Sequence, residues 1–206
     1  DEPEVPASLH AVQAGSAEAG STPMTEHVAA RAGGAQSRSG AENAPQFRDA
    51  MARLAGGVAI LTVLDPIGRD CGLTVTAVSS VSLEPALVLV CVKKDGFIHD
   101  ALFVADGWSL TFLAADQVDA AHYFARSRYP GDRDDFAAWG TRRAHAGELV
   151  LTGGVAAVEC EPHQLVDAGD HTIAIGRVVR TPGDLTGATP LLHVDRTYWT
   201  PGQELE

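Results

Sequence analysis

Gly72-Leu73-Thr74-Val75-Thr76-Ala77-Val78-Ser79-Ser80-Val81-Ser82-Leu83-Glu84-Pro85 is the stretch from which the rest of the chain is best read. Hydroxyls at Thr74, Thr76, Ser79, Ser80 and Ser82 are set among apolar residues. Val and Thr fit a pleated surface, so Leu73 to Ser82 reads as one strand, ended by Glu84-Pro85. A period of two puts Thr74, Thr76 and Ser80 on one face and Ser79 on the other. Such a row is either the solvent side of a strand or a polar edge for a ligand lying across a sheet. Composition alone favours the first.

On either side of this stretch the chain is punctuated by turns. Ala86 to Val92 is apolar throughout and reads as a strand buried on both faces. Val58 to Leu64 is another short strand, followed by a turn at Asp65-Pro66-Ile67-Gly68. Upstream, Phe47, Met51 and Leu54 share one face of a helix that begins near Pro45 and stops at Gly56-Gly57. Downstream, Lys93 to Gly96 connects to a helix over Phe97 to Val104, a strand over Trp108 to Leu113 and a helix over Asp116 to Arg126. An excursion over 127–147 is expected to hold a short helix around Asp134 to Trp139. Strands follow over Val150 to Glu161, His171 to Arg180 and Leu191 to Trp199. Helices do not alternate regularly with strands, which argues against a doubly wound parallel sheet. The expectation is a mainly β fold with inserted helices, its antiparallel strands forming a closed or split barrel that hides their edges.

Residues 1–42 are rich in Ala, Gly, Ser, Glu and Gln and lack apolar periodicity, so they read as a disordered tail before one domain over 43–206. Met24 is a candidate natural start. With 15 basic against 27 acidic residues and a net charge of −12, the chain has no general attraction for nucleic acid. Its hydrophobic content, 45%, is too high for disorder throughout, and no long uninterrupted apolar run suggests a membrane span. Cys71, Cys91 and Cys160 lie near or within apolar runs, which suits reduced thiols in a cytoplasmic protein. Cys160 and His163 have no second pair at similar spacing, so no metal is expected. No signal peptide is apparent at the N-terminus.

Two short segments stand out. Lysine occurs only at Lys93 and Lys94, in a connection between two elements. Gly169-Asp170-His171 joins two strands: Gly permits a tight turn, Asp can close it, and His at a strand mouth can meet a ligand or face solvent.

The order and spacing of these segments resemble the flavin reductase-like proteins, the small reductase components of two-component flavin monooxygenases. The resemblance runs from Phe47-Arg48-Asp49-Ala50-Met51 and Gly57-Val58 through Gly72–Pro85 and Leu87–Val92. It continues in Phe124-Ala125, Glu159-Cys160, Gly169–Ile173, Gly176-Arg177-Val178 and Pro190-Leu191-Leu192. It implies an FMN-binding split barrel of Greek-key type, working as a homodimer. It also implies an enzyme that takes hydride from NADH or NADPH, reduces diffusible FMN or FAD, and hands the reduced flavin to a partner monooxygenase. By the same resemblance, Thr74, Val75, Thr76 and Ala77 would lie along the isoalloxazine and ribityl chain. Ser80, Val81 and Ser82 would lie toward the phosphate end, with Lys93 and Lys94 near the phosphate. Gly169, Asp170 and His171 would meet the nicotinamide, with His171 close to the flavin ring as the catalytic-site residue.

Hydride transfer between two cofactors needs stacked rings and little else, since the cofactors carry the difficult chemistry. No nucleophile or acid–base dyad is therefore required. The chain departs from the family after Lys94, where Asp95-Gly96-Phe97-Ile98 replaces the usual hydroxyl residues. A carboxylate there repels a phosphate unless it turns outward or pairs with a lysine. The stretch Arg126 to Arg133 is locally basic, a solvated loop or an aid to nicotinamide phosphates. Two other roles are compatible with the same residues: a flavoprotein holding FMN tightly and acting on a metabolite, or a non-catalytic flavin-binding module.

Overall fold

The computed structural model describes residues 44–126, 136–182 and 187–202. The tail, Met24 and most of the basic stretch after Arg126 lie outside the described residues. In chain order the elements are α1 (Ala44–Ala52), β1 (Gly56–Gly57), β2 (Ala59–Leu64), β3 (Asp70–Val75), β4 (Val78–Leu83) and β5 (Ala86–Lys93). Then come α2 (Phe97–Val104), β6 (Trp108–Phe112), α3 (Val118–Phe124), β7 (Thr141–Arg143) and β8 (Leu149–Leu151). The chain ends with β9 (Ala156–Ala168), β10 (His171–Arg180), β11 (Leu192–Val194) and β12 (Thr197–Trp199).

Seven strands form one antiparallel sheet in the order β3-β2-β6-β9-β10-β5-β4. Its two edge strands, β3 and β4, are consecutive in the chain. Only Thr76 and Ala77 separate them, and the Cys91 N–H donates to the Ala77 carbonyl at 3.0 Å. The Thr/Ser-rich stretch therefore crosses from one edge of the sheet to the other and marks the seam of a split barrel. It is two strands, not the one expected over Leu73 to Ser82, because the pairing changes at Thr76-Ala77: up to Val75 the chain pairs with β2, and from Val78 it pairs with β5.

β2 shows where the core sits. Its residues alternate between two apolar clusters, so the strand is buried on both faces. Leu61 and Val63 join Val90, Trp108, Leu110 and Cys160 in one cluster, onto which Ile98, Ala101 and Leu102 of α2 pack. Ile60 joins Leu113, Ala121, Phe124, Phe136 and Leu191 in the other, beneath α3. β5 is less enclosed than expected: Val88, Val90 and Val92 are buried, whereas Leu87, Leu89 and Cys91 are half-buried.

Other differences have local causes. The strand expected over Val150 to Glu161 is broken between β8 and β9, at Gly153 with φ +80° and Gly154, where a Cβ would lie 2.6 Å from the Phe112 carbonyl. The strand expected over Leu191 to Trp199 is the β11–β12 hairpin, turned by Asp195 and Arg196 at φ 52° and 62°. Left-handed turns of this kind usually advertise themselves with Asn or Gly, which are missing here. The described part of the expected helix around Asp134 to Trp139 is a turn over 136–139. Phe47, Met51 and Leu54, the apolar face of the first helical segment, are exposed rather than packed.

A buried polar cluster braces β6, β7 and β9. Glu148 and Glu159 are both fully buried. Arg142 Nη1 donates to Glu159 Oε1 at 2.7 Å, and the His145 N–H donates to Glu159 Oε2 at 3.0 Å. Ser109 Oγ donates to Glu148 Oε1 at 2.9 Å.

Candidate functional site

The hydroxyl row of the seam is only partly available to a ligand. Thr74 Oγ1 donates to the Ala121 carbonyl at 2.7 Å and so ties β3 to α3. Ser79 Oγ donates to the Ser80 carbonyl at 3.1 Å, and Ser82 Oγ accepts from the Glu84 N–H at 3.2 Å. Thr76 and Ser80 are exposed, and their hydroxyls have no partner among the described residues. Val75 is buried in the core, while Ala77 and Val81 are exposed. A cavity of about 400 Å³ lies beside β4, lined by Ser80, Ser82, Leu83, Leu87, Phe112 and Val178 among others.

The second group forms at the far end of β5. His171 opens β10 and stands opposite Lys93 across the β5–β10 ladder. The Lys94 N–H donates to the Asp170 carbonyl at 3.0 Å, so the next residue continues the junction. Gly169, at φ +70°, allows the tight β9–β10 turn that brings Asp170 and His171 there. Two segments separated by more than seventy residues thus converge through strand register.

Their charges are already paired. Lys93 Nζ lies 2.6 Å from Asp95 Oδ2, and Lys94 Nζ lies 2.8 Å from Asp167 Oδ2. His171 Nδ1 lies 2.8 Å from Asp170 Oδ1. The hydrogen bond and charge of Asp95 raise the Lys93 ammonium above its ordinary value. The Lys94 ammonium holds the Asp167 carboxyl below the usual range, and the hydrogen bond with His171 does the same for Asp170. All of these carboxylates and Lys93 are well exposed, so the pairs are loose and salt-sensitive.

The structure does not bring the two groups together within one chain. Ser80 pairs with Val88, and Lys93 is five residues further along β5, a separation of roughly 17 Å at ordinary strand rise. Ser80, Val81 and Ser82 thus stand well apart from Lys93 and Lys94 along β5 of the same chain.

His99, unremarked in the sequence, flanks the second group. Its Nε2 is 3.0 Å from Thr172 Oγ1, and its ring packs on Phe103 at 4.7 Å between centroids. Asp167, near the end of β9, is a second partner that the sequence does not single out. The thiols are poorly suited to nucleophilic work: burial pushes Cys71 and Cys160 up to about 12. Cys160 is buried and His163 exposed on β9, so the two do not converge on one metal.

In kind, these residues suit a flavin: exposed hydroxyls at Thr76 and Ser80, a half-exposed imidazole at His171, and two ammonium groups at one strand end. Three carboxylates beside those ammonium groups suit its phosphate less well. No helix of the described residues is long and apolar enough to cross a membrane.

The chain is 37% identical over 152 residues to the actinorhodin polyketide dimerase of Streptomyces coelicolor, covering 74% of this chain and 83% of that protein. It is 34% identical over 154 residues to the reductase component of an FADH2-dependent resorcinol hydroxylase from a Rhizobium species, covering 74% of this chain and 84% of that one. Among solved structures, the NADH:FAD oxidoreductase of Streptomyces globisporus, in complex with NAD and FAD fragments, superposes with a TM-score of 0.73 at 28% identity. The superposition covers 80% of this chain and 96% of that one. Residues 51–201 match the family described as flavin reductase like domain, and the chain belongs to that family.

Proposed function

We propose that this protein is an NAD(P)H:flavin oxidoreductase that reduces FMN or FAD as a diffusible substrate and supplies the reduced flavin to a partner monooxygenase. The observation that carries this reading is the junction of Lys93 and Lys94 with Gly169, Asp170 and His171 in a chain of this family. The nicotinamide supplies the hydride and the flavin ring accepts it. The chain's own part is positioning. Thr76 and Ser80 offer hydroxyls at the seam, His171 offers a half-exposed imidazole, and Asp170 orients that imidazole through Nδ1. Lys93 and Lys94 offer the positive charge a phosphate needs. Alignment of two bound rings is worth roughly 7–11 kcal/mol of barrier, so no acid–base dyad is needed.

The reading includes a homodimer. Leu83 on the edge strand β4 is 90% exposed, and Phe47 and Leu54 are 64% and 66% exposed, which suits burial against a second copy. A dimer also offers a way to place the β4 serines of one copy near the lysines of the other. Light scattering of the purified protein checks the mass. A monomer at assay concentration rejects this part.

The decisive assay crosses NADH and NADPH against FMN, FAD and riboflavin in steady state. Added flavin should accelerate nicotinamide oxidation. A protein inert with every pair rejects the proposal. One observation favours a second reading: a 37% identical relative is named a polyketide dimerase rather than a reductase. A protein that stays yellow through gel filtration and ignores free flavin would support action on a metabolite instead.

A further inference from the structure

The two lysines are the only ones in the chain, and each is closed by a carboxylate from a different element. Asp95 comes from the loop after β5, and Asp167 from the end of β9. Asp170 stands beside them on His171. Two ammonium groups against three carboxylates leave this strand end without net positive charge. An anion arriving here must compete with both existing partners.

We propose that Asp95 and Asp167 are specificity-determining residues that restrain Lys93 and Lys94, so that a cofactor's phosphate group adds little to its affinity. This rests on the flavin reductase reading. The ligand chemistry is a phosphate ester, and it has two sources, the flavin and the nicotinamide dinucleotide.

The exposure of the pairs limits the size of the effect. Lys93 and Asp95 side chains are 57% and 70% exposed, and Asp167 is 82% exposed. Pairs of this kind are weak, so each clamp should change phosphate affinity by about two- to fivefold, less at high salt. Asp95→Asn and Asp167→Asn remove the charge and keep the shape, and neither side chain is packed in the core.

The test is a binding titration on the full chain, which needs no turnover. Quenching of flavin fluorescence gives Kd for riboflavin and FMN at low salt, and a parallel titration gives Kd for NADH. Each variant should tighten FMN relative to riboflavin by about two- to fivefold, and the double variant by more. A gain in NADH affinity with the FMN to riboflavin ratio unchanged supports the clamp and assigns the phosphate to the nicotinamide. Wild-type protein that binds flavin, with both the FMN ratio and the NADH constant unmoved by the substitutions, overturns the clamp alone. Wild-type protein that binds no flavin overturns the clamp and the reductase reading together.

Discussion

Lys93 and His171 are direct partners in the β5–β10 ladder, and this single register position joins the chain's cationic loop to its Gly-Asp-His turn. Neither segment carries much information alone. Their pairing depends on β9 and β10 forming a hairpin with Gly169 at its turn, and on β10 then lying against β5. A one-residue slip would send His171 to the other face of the sheet.

His171→Ala should raise the nicotinamide KM or lower kcat by roughly three- to tenfold, the scale of one lost polar contact. Steady-state kinetics with NADH at saturating flavin measures it. Unchanged constants would reject the role assigned to the imidazole.

Gly176→Ala should destabilise the barrel by about 1–3 kcal/mol through overpacking. A Cβ there would overlap the Trp108 ring and lie 2.8 Å from the Cys160 Cβ. Both neighbours are themselves buried, so they have little room to yield. Thermal unfolding should show a lower Tm with native-like circular dichroism below the transition.

Arg142→Met should cost about 3 kcal/mol, since it strands the carboxylate of the fully buried Glu159. The lower end of the usual range applies because the Arg142 side chain is 33% exposed. The double variant Arg142→Met/Glu159→Met should recover part of the loss. Urea unfolding compares the three proteins, and a single variant as stable as wild type would contradict the account.

Asp65→Ala should lose about 1–2 kcal/mol at neutral pH. The carboxylate accepts from the Arg69 N–H at 2.8 Å, the Ile67 N–H at 3.0 Å and Arg69 Nε at 2.7 Å. Desolvation raises its titration, but these donors and the Arg69 charge outweigh it, and the carboxyl titrates below its ordinary 3.8 in the folded chain. A depressed folded value means the stabilisation is complete above the unfolded value and lost as pH falls through the folded one. The stability gap between wild type and variant should therefore stay level above about pH 5 and narrow below about pH 4. A gap that widens on acidification would contradict the assignment.

Much of the fold is legible in the sequence because it rests on local pattern. Phe97–Val104 and His171–Arg180 form as the periodicity predicts, and β2 departs by one residue from the expected Val58 to Leu64. The Thr/Ser-rich stretch misleads because it has unbroken β propensity, and only the topology requires a break at Thr76-Ala77. The candidate site is less legible for a related reason. The partner of Thr74 is a carbonyl in α3, and the partner of Lys94 is Asp167, 73 residues away. Such long-range pairings leave no periodic trace. The contact between Asp95 and Lys93 is the exception, since two adjacent lysines followed by an acid invite the pairing that the structure shows.

The close approach of Trp108 to Gly176 has an optical consequence. The three tryptophans occupy three environments: Trp108 is 1% exposed, Trp139 is half-buried, and Trp199 is 56% exposed. Trp108 lies on β6, and Gly176 lies on β10, the strand that carries His171 at its start. Emission from Trp108 should therefore be the bluest of the three and should redden only when that strand comes away. The protein contains its own reporter, in ultraviolet light and without a label, for the integrity of the scaffold beneath its site.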